Sequence, residues 1–404
     1  MKKILAILLC ISTMSVLFVG CAPTDAGNGT QTPKGVFEAG YAREDITPDP
    51  ANSYNLAGYG YARPSGAVAD NLYITCTAIK DENGQVFLLY HCDFLKIYTA
   101  LNMAKTSISK ETGVPVENIM ISTTHNHSAP SLDDENDAVM EDYRKVVRKA
   151  MIKTAKDAVA DLKPAKIYIS EIVCKNFNWI RSIGVSSNFD EELDDILEMI
   201  KFTREGEKDI VMVNWQGHPK AGGGADLVVR SDVDILRKNV EAELNCDFTF
   251  FLGASGNVSN HPSTYPDYVT HYNELTKKVV EAAANFREVT DGAIKKVTTR
   301  VAIDFKNGSG SDEVPISVIS IGNSIAFAIV PYEMFSSSAK DIKAYSQFDQ
   351  TFIVTCADSA YGYLPTIATP DDEYEVGATF YAKGSAEELV EGYKSLLDQL
   401  QGSK

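Results

Sequence analysis

The chain has 404 residues, 44% hydrophobic and 23% charged, with a formal net charge of −17. That length is enough for a substantial core in one large unit or two closely packed ones. The acidic balance argues against nucleic acid as a partner and gives no attraction to anionic lipid surfaces.

The chain opens MKKILAILLCISTMSVLFVGC. Lys2 and Lys3 form a short basic start, and the apolar run behind them is too short and wrongly flanked for a settled membrane span. Residues 17–21 (LFVGC) resemble the lipobox of a bacterial lipoprotein. Residues 1–20 therefore read as a leader removed before Cys21, whose thiol becomes the lipid attachment point; a plain secretory leader is the alternative. Residues 21–35 are polar, rich in Gly, Pro and Thr and without period, which predicts a flexible tether. The expectation is an exported protein held at the outer face of a membrane.

Beyond the tether, apolar runs alternate with helical patterns. Strands are predicted at 72–79, 85–92, 117–123, 166–174, 210–215, 248–252, 316–321, 324–330 and 352–356. Helices are predicted at 96–112, 136–161, 231–243, 270–287, 334–345 and 385–401. Gly322-Asn323 between two apolar runs is a hairpin signal. Helices between strands favour parallel pairing and hairpins add antiparallel strands. An α/β fold follows, with mixed β-sheets flanked by helices, as one unit over 36–404. Cys76, Cys92, Cys174, Cys246 and Cys356 are odd in number and scattered through apolar runs, so they read as buried thiols.

The chemistry-bearing residues fall where strands stop. Residues 121–130 read ISTTHNHSAP, delivering two of the six histidines, His125 and His127, at a strand end. If strand geometry persists through them, both point the same way, and two converging neutral imidazoles suit zinc. Solvent-bonded loop histidines are the plainer alternative. Residues 211–218 bring His218 past a second strand, 249–261 bring Gly256, Asn257 and Ser259, 326–333 bring Glu333, and 352–366 bring Asp358, Tyr361 and Tyr363. Glu333 is expected at the start of a helix. A carboxylate, several imidazoles and a phenol at strand ends make a plausible shell for one open zinc site.

Together these segments resemble the neutral/alkaline, non-lysosomal ceramidases, zinc-dependent amidases of sphingolipids. AGYAREDITP (39–48) and GYGYARPSG (58–66) resemble that family's entry segment. TTHNHSAP resembles its THTHSGP motif, FNWIRS (177–182) its Asn-Arg-Ser segment and NWQGH (214–218) its second histidine site. GNVSN (256–260) resembles GDVSPN, PYE (331–333) resembles PGE, and 358–366 with YEVGAT (374–379) resembles the tyrosine-bearing end. The resemblance implies one zinc ion per chain on His125, His218, Glu333 and Tyr363, with Tyr361 the alternative phenol. It implies that His127, Arg181 and Tyr374 hold the scissile carbonyl and its oxyanion, and that Ser259 is an active-site hydrogen-bonding group. The sequence departs from the pattern at Asn126, Asn257 and Asn260. The expectation is a catalytic unit without the immunoglobulin-like C-terminal domain of that family.

What the resemblance implies is a zinc-dependent amidohydrolase cleaving an N-acyl bond, with ceramide or another N-acyl lipid as substrate. Two other readings stand beside it. One is a hydrolase of a non-lipid amide or ester using Ser259 with His261 or His218, although GASGNVS lacks the nucleophile-elbow pattern. The other is a lipoprotein that binds a lipid or glycan on the same fold; retention of every candidate ligand speaks against it.

Overall fold

Side-chain alternation decides the layering. The strand Val86–Cys92 sends Phe87 and Leu89 to one face of its sheet and Leu88 and Tyr90 to the other. Each face is buried against a different partner, so neither can be polar. The computed structural model describes residues 36–133, 138–181, 192–220, 227–260 and 267–401. The leader, the tether with Cys21, Ser182, the glycine-rich segment 221–226 and His261 lie outside these.

The larger sheet runs in the order Cys246–Leu252, Asp209–Trp215, Ile196–Arg204, Lys163–Val173, Glu38–Asp45, Tyr73–Lys80, Val86–Cys92, Ile119–Thr123, with Arg287–Val289 also paired to Lys163–Val173. Its two ends are parallel pairs and its middle is antiparallel. A second sheet runs Ile294–Asp304, Ser311–Ile321, Ile325–Ile329, Gln350–Val354. The hairpin between its second and third strands turns at Gly322, whose φ of 58° suits a residue without Cβ. Phe87, Met120, Met212 and Phe251 of the first sheet pack against Ile319, Phe327 and Phe352 of the second.

The outer faces are covered by helices. Thr99–Thr112 and Ala138–Ala160 lie over one half of the larger sheet. Asp232–Leu244 and Tyr268–Ala283 lie over the other half, each begun by a side-chain cap, Ser231 on Asp234 and Asp267 on Thr270. Ser336–Tyr345 and Ser385–Gln401 cover the second sheet. The result is four layers, helices–sheet–sheet–helices, within one compact unit spanning Gly35–Lys404. Among the described residues, no helix is long and apolar enough to cross a membrane.

This is the mixed α/β architecture expected, with differences in its elements. Glu38–Asp45, Ile196–Arg204 and Ile294–Asp304 are long strands where none was predicted. Glu333 does not open a helix: it sits in a two-residue strand, Glu333–Met334, paired in parallel with Tyr363–Leu364, and the helix begins at Ser336. Backbone pairing to a distant segment outcompetes the local helical tendency there. All five cysteines after the tether are buried free thiols.

Candidate metal centre

Five strands from both sheets end at one place, and hydrogen bonds tie those ends together. Thr123 donates to the Cys356 carbonyl, Gly253 to Trp215, Thr355 to Leu252 and Val330 to Val354. The Asn214 side chain donates to the carbonyls of both Phe251 and Ile353, linking the two sheets. Loops leaving these ends carry the functional side chains.

Thr123 ends its strand, and His125 takes a left-handed φ of 59°. His125 and His127 therefore converge through a turn, not through strand alternation. His218 joins them, with ring centroids 4.6 Å from His125 and 4.9 Å from His127. All three are buried, and one nitrogen from each lies within 4.8 Å of the others. The Nδ1 atoms of His125 and His218 face the carbonyls of Leu95 at 2.8 Å and Ser255 at 3.0 Å. A proton on each Nδ1 leaves the Nε2 lone pairs pointing inward, as metal-ligating imidazoles require.

Inside the cluster, polar atoms face one another. His125 Nε2 lies 3.2 Å from Glu333 Oε2, and both atoms are otherwise unpartnered. That pair needs positive charge between its atoms, either a proton or a cation. His127 Nε2 lies 2.9 Å from His218 Nε2, a contact that a neutral His127 carrying its proton on Nε2 satisfies by donating. With protons alone, burial opposes charging His125, but Glu333 and then Cys356 overcome it and push the imidazole up to about 10. Burial and the surrounding cations hold His127 and His218 well below the usual range, so both are neutral imidazoles, the form that binds metal. Burial works to raise Glu333, yet His125 and Arg181 keep it below the usual carboxylate value. The three histidines can hold a metal ion, and Glu333 adds an anionic oxygen to the same space.

Tyr363 stands opposite Glu333 because of the short parallel ladder, whose register pairs those two residues. Tyr361 lies tilted against the ring of Tyr332, centroids 5.3 Å apart. Arg181 is nearly enclosed: Nε donates to Glu375 at 2.8 Å, Nη2 to Tyr363 at 3.2 Å and to the Gly256 carbonyl, and Nη1 approaches His218 Nδ1 at 3.0 Å. With its proton directed to Ser255, His218 Nδ1 cannot accept from Nη1, so the Nη1 hydrogens remain for a ligand. Tyr374 is exposed, with its ring 5.9 Å from that of Tyr363. Ser259 pairs through its backbone with Trp179 and bridges His218, and no described hydrogen bond joins its hydroxyl to His218. Asp358 is a structural clamp: it accepts from Ile121 N at 2.9 Å and pairs with Lys105 at 2.7 Å.

Two cavities reach the cluster. One, of about 670 Å³, is lined by His127, Arg181, Lys220, Tyr363, Tyr374 and Glu375. The other, of about 350 Å³, touches His125, Glu333 and Cys356 and is walled by Leu95, Tyr332, Tyr361 and Phe380. Gly58 edges the first, and a Cβ there would stand 2.4 Å from His127 Nδ1, so only glycine lets this loop close on the imidazole. Gly256 is pressed likewise onto Glu333, whose carbonyl a Cβ would meet at 2.3 Å. Sequence reasoning did not single out Lys220, Cys356 or Glu375 as site residues. Lys220 and Glu375 each stood within two residues of a named site residue. The Leu95 and Ser255 carbonyls carry no side-chain signal at all.

The scaffold is a ceramidase-type α/β fold, by likeness to two solved structures. The chain matches the neutral ceramidase of Pseudomonas aeruginosa with a TM-score of 0.76 at 14% identity, over 91% of this chain and 74% of that one. It matches a ceramidase complexed with C2 with a TM-score of 0.75 at 14% identity, over 91% and 75%. No family profile matches the sequence, and no curated protein sequence does.

Proposed function

We propose that the protein is a zinc-dependent amidohydrolase that cleaves an N-acyl bond, tethered outside the cytoplasmic membrane through a lipid on Cys21. The observation that carries the catalytic reading is the buried cluster of His125, His127 and His218, one nitrogen of each within 4.8 Å of the others, with Glu333 Oε2 facing His125 Nε2. Residues that only needed to pack would not be left sharing protons in this way. The shared fold with neutral ceramidases supports an amide of a lipid as substrate.

In this reading His125, His218, Glu333 and Tyr363 hold the ion. Bound there, zinc supplies Lewis acidity that brings the pKa of water to about 7. With His218 Nε2 committed, the Nε2–H of His127 is free to donate to a substrate carbonyl. The Nη1 hydrogens of Arg181 and the Tyr374 hydroxyl are the other donors to the oxyanion. Each such donor is worth about 3 kcal/mol of barrier. Arg181 also neutralises Glu375 and holds the Tyr363 hydroxyl in place.

Ser259 stays a hydrogen-bonding or structural group: its backbone fixes the His218 loop, and no described side-chain contact activates it. The test is a panel of N-acyl compounds, lipid and non-lipid, assayed with and without chelator alongside metal analysis. About one zinc per chain, with hydrolysis lost on chelation and restored by zinc, is the expected result. Hydrolysis that survives complete metal removal overturns it.

A further inference from the structure

A planar fork on a long side chain donates accurately only when the fork itself is held. The backbone of Arg181 is fixed by the short ladder of Asn178–Ile180 with Val258–Asn260, where its N–H donates to the Asn257 carbonyl. On the guanidinium, Nη2 donates to the Gly256 carbonyl and to Tyr363. Nε donates to Glu375 at 2.8 Å, and the two side chains are only 10% and 6% exposed. Glu375 arrives from a distant part of the chain. It is the second residue of the short helix Tyr374–Ala378, directly after the proposed donor Tyr374. A buried ion pair adds little stability beyond what apolar residues of the same volume give. What this one does add is orientation: with Nε and Nη2 both engaged, the plane is set and the Nη1 hydrogens are the ones left over.

We propose that Glu375 is a positioning residue for catalysis, holding the Arg181 guanidinium so that Nη1 reaches the substrate oxyanion. This rests on the amidohydrolase reading of the same centre. Arg181 Nη1 lies 3.0 Å from His218 Nδ1, so an ion on His218 is a like charge beside it. The other carboxylate that attracts Arg181 is Glu333, itself a candidate ligand whose charge the ion takes up. Glu375 is therefore the counter-charge that stays with Arg181 once the centre is loaded. Without it, repulsion moves the guanidinium off its place next to His218, and a displacement of about 1 Å costs on the order of 100-fold in rate. An oxyanion donor acts in the transition state, so the loss falls on kcat and not on KM. Glu375 also lines the larger cavity. A direct contact with substrate would keep its value when Arg181 is gone, whereas a positioning role would vanish with it.

The test is a double-mutant cycle on the zinc-loaded protein, with N-dodecanoylsphingosine and N-dodecanoylethanolamine as substrates. Glu375→Gln keeps the shape and an acceptor but removes the charge. It should lower kcat by about tenfold, with KM within about twofold and zinc content unchanged, and Glu375→Ala should lower kcat further. In an Arg181→Ala background, Glu375→Gln should change kcat by less than about twofold. An equal fold-loss in both backgrounds, or wild-type kcat in Glu375→Gln, overturns the inference. If wild type hydrolyses neither amide, that failure falls on the amidohydrolase reading, and the guanidinium itself decides about Glu375. In the isotope-labelled protein, the Arg181 Nε–H resonance, identified by its loss in Arg181→Ala, should exchange slowly with water in wild type. Its loss to exchange in Glu375→Gln supports the positioning role, and equal protection in both proteins overturns it.

Discussion

His127 is the residue on which the division of labour at the centre turns. It belongs by distance to the three-histidine group, yet it also lines the larger cavity. If His125 and His218 are ligands and His127 a substrate donor, the alanine variants part company. His125→Ala and His218→Ala should lose zinc, measured by elemental analysis, together with all turnover. His127→Ala should keep zinc and lose about 100-fold in kcat. Zinc lost from His127→Ala would assign all three imidazoles to the ion.

The two tyrosines separate in the same manner. Tyr363 faces Glu333 across the ladder and receives a hydrogen bond from Arg181, whereas the Tyr361 ring packs tilted against Tyr332. Burial and Glu333 raise the Tyr363 phenol, so without a cation it stays neutral. Tyr363→Phe should weaken zinc retention against a competing chelator, and Tyr361→Phe should leave it near wild type; the reverse order would exchange their roles.

At the scale of elements, the strand Ile196–Arg204 explains both what holds the site loops and what the sequence concealed. Its residues ILEMIKFTR place Glu198 and Lys201 in mid-strand, which blurs the period of two. Glu198 is buried all the same, because Lys343 from the helix Ser336–Tyr345 reaches it at 2.8 Å and reaches Asp194 at 2.7 Å. The same helix begins at Ser336, whose N–H donates to Asn257 and whose hydroxyl accepts from Asp194. Asn257 in turn accepts from the Arg181 backbone, so this buried network reaches the guanidinium at the centre.

One ammonium serves two carboxylates there, and burial with Asp194 nearby pushes Glu198 up to about 7, against the pull of Lys343. A carboxyl whose folded pKa exceeds its unfolded value binds its proton more tightly when folded. Its stabilising contribution is therefore full below the unfolded value and is lost as pH rises toward 7. Thermal stability should fall between about pH 5 and pH 7, and Glu198→Gln should flatten that slope. A slope identical in both proteins would show that Glu198 does not titrate in this range. Other elements were hidden for different reasons. Ile294–Asp304 (IKKVTTRVAID) is an outer strand with many exposed positions, and Glu333–Met334 exists only because Tyr363–Leu364 lies beside it. Long apolar strands and capped helices were legible because local propensity and tertiary packing agree in them.

Over the whole molecule, the centre sits where strands of two different sheets end. His125 and His218 follow strands of the larger sheet, while Glu333 and Tyr363 follow strands of the smaller one. An ion held by all four ties the two layers together at the edge of the core that Phe251, Phe327 and Phe352 form between them. This convergence was legible as a set of strand-end motifs, but the second support, backbone carbonyls and short ladders, depends on the fold being complete. A cation bound by the folded chain and not by the unfolded one stabilises by mass action, about 2.7 kcal/mol at a free concentration 100 times its Kd. Chelation should therefore lower the melting temperature by a few degrees, and zinc should restore it in a concentration-dependent way. Without the ion, His125 retains its proton against Glu333, so the fold persists and the change is a shift of the transition, not its disappearance. The same scan on Glu333→Gln should show a smaller response to zinc, because the anionic oxygen contributed by the second sheet is gone. A melting temperature indifferent to zinc in wild type would mean that no ion bridges the two layers.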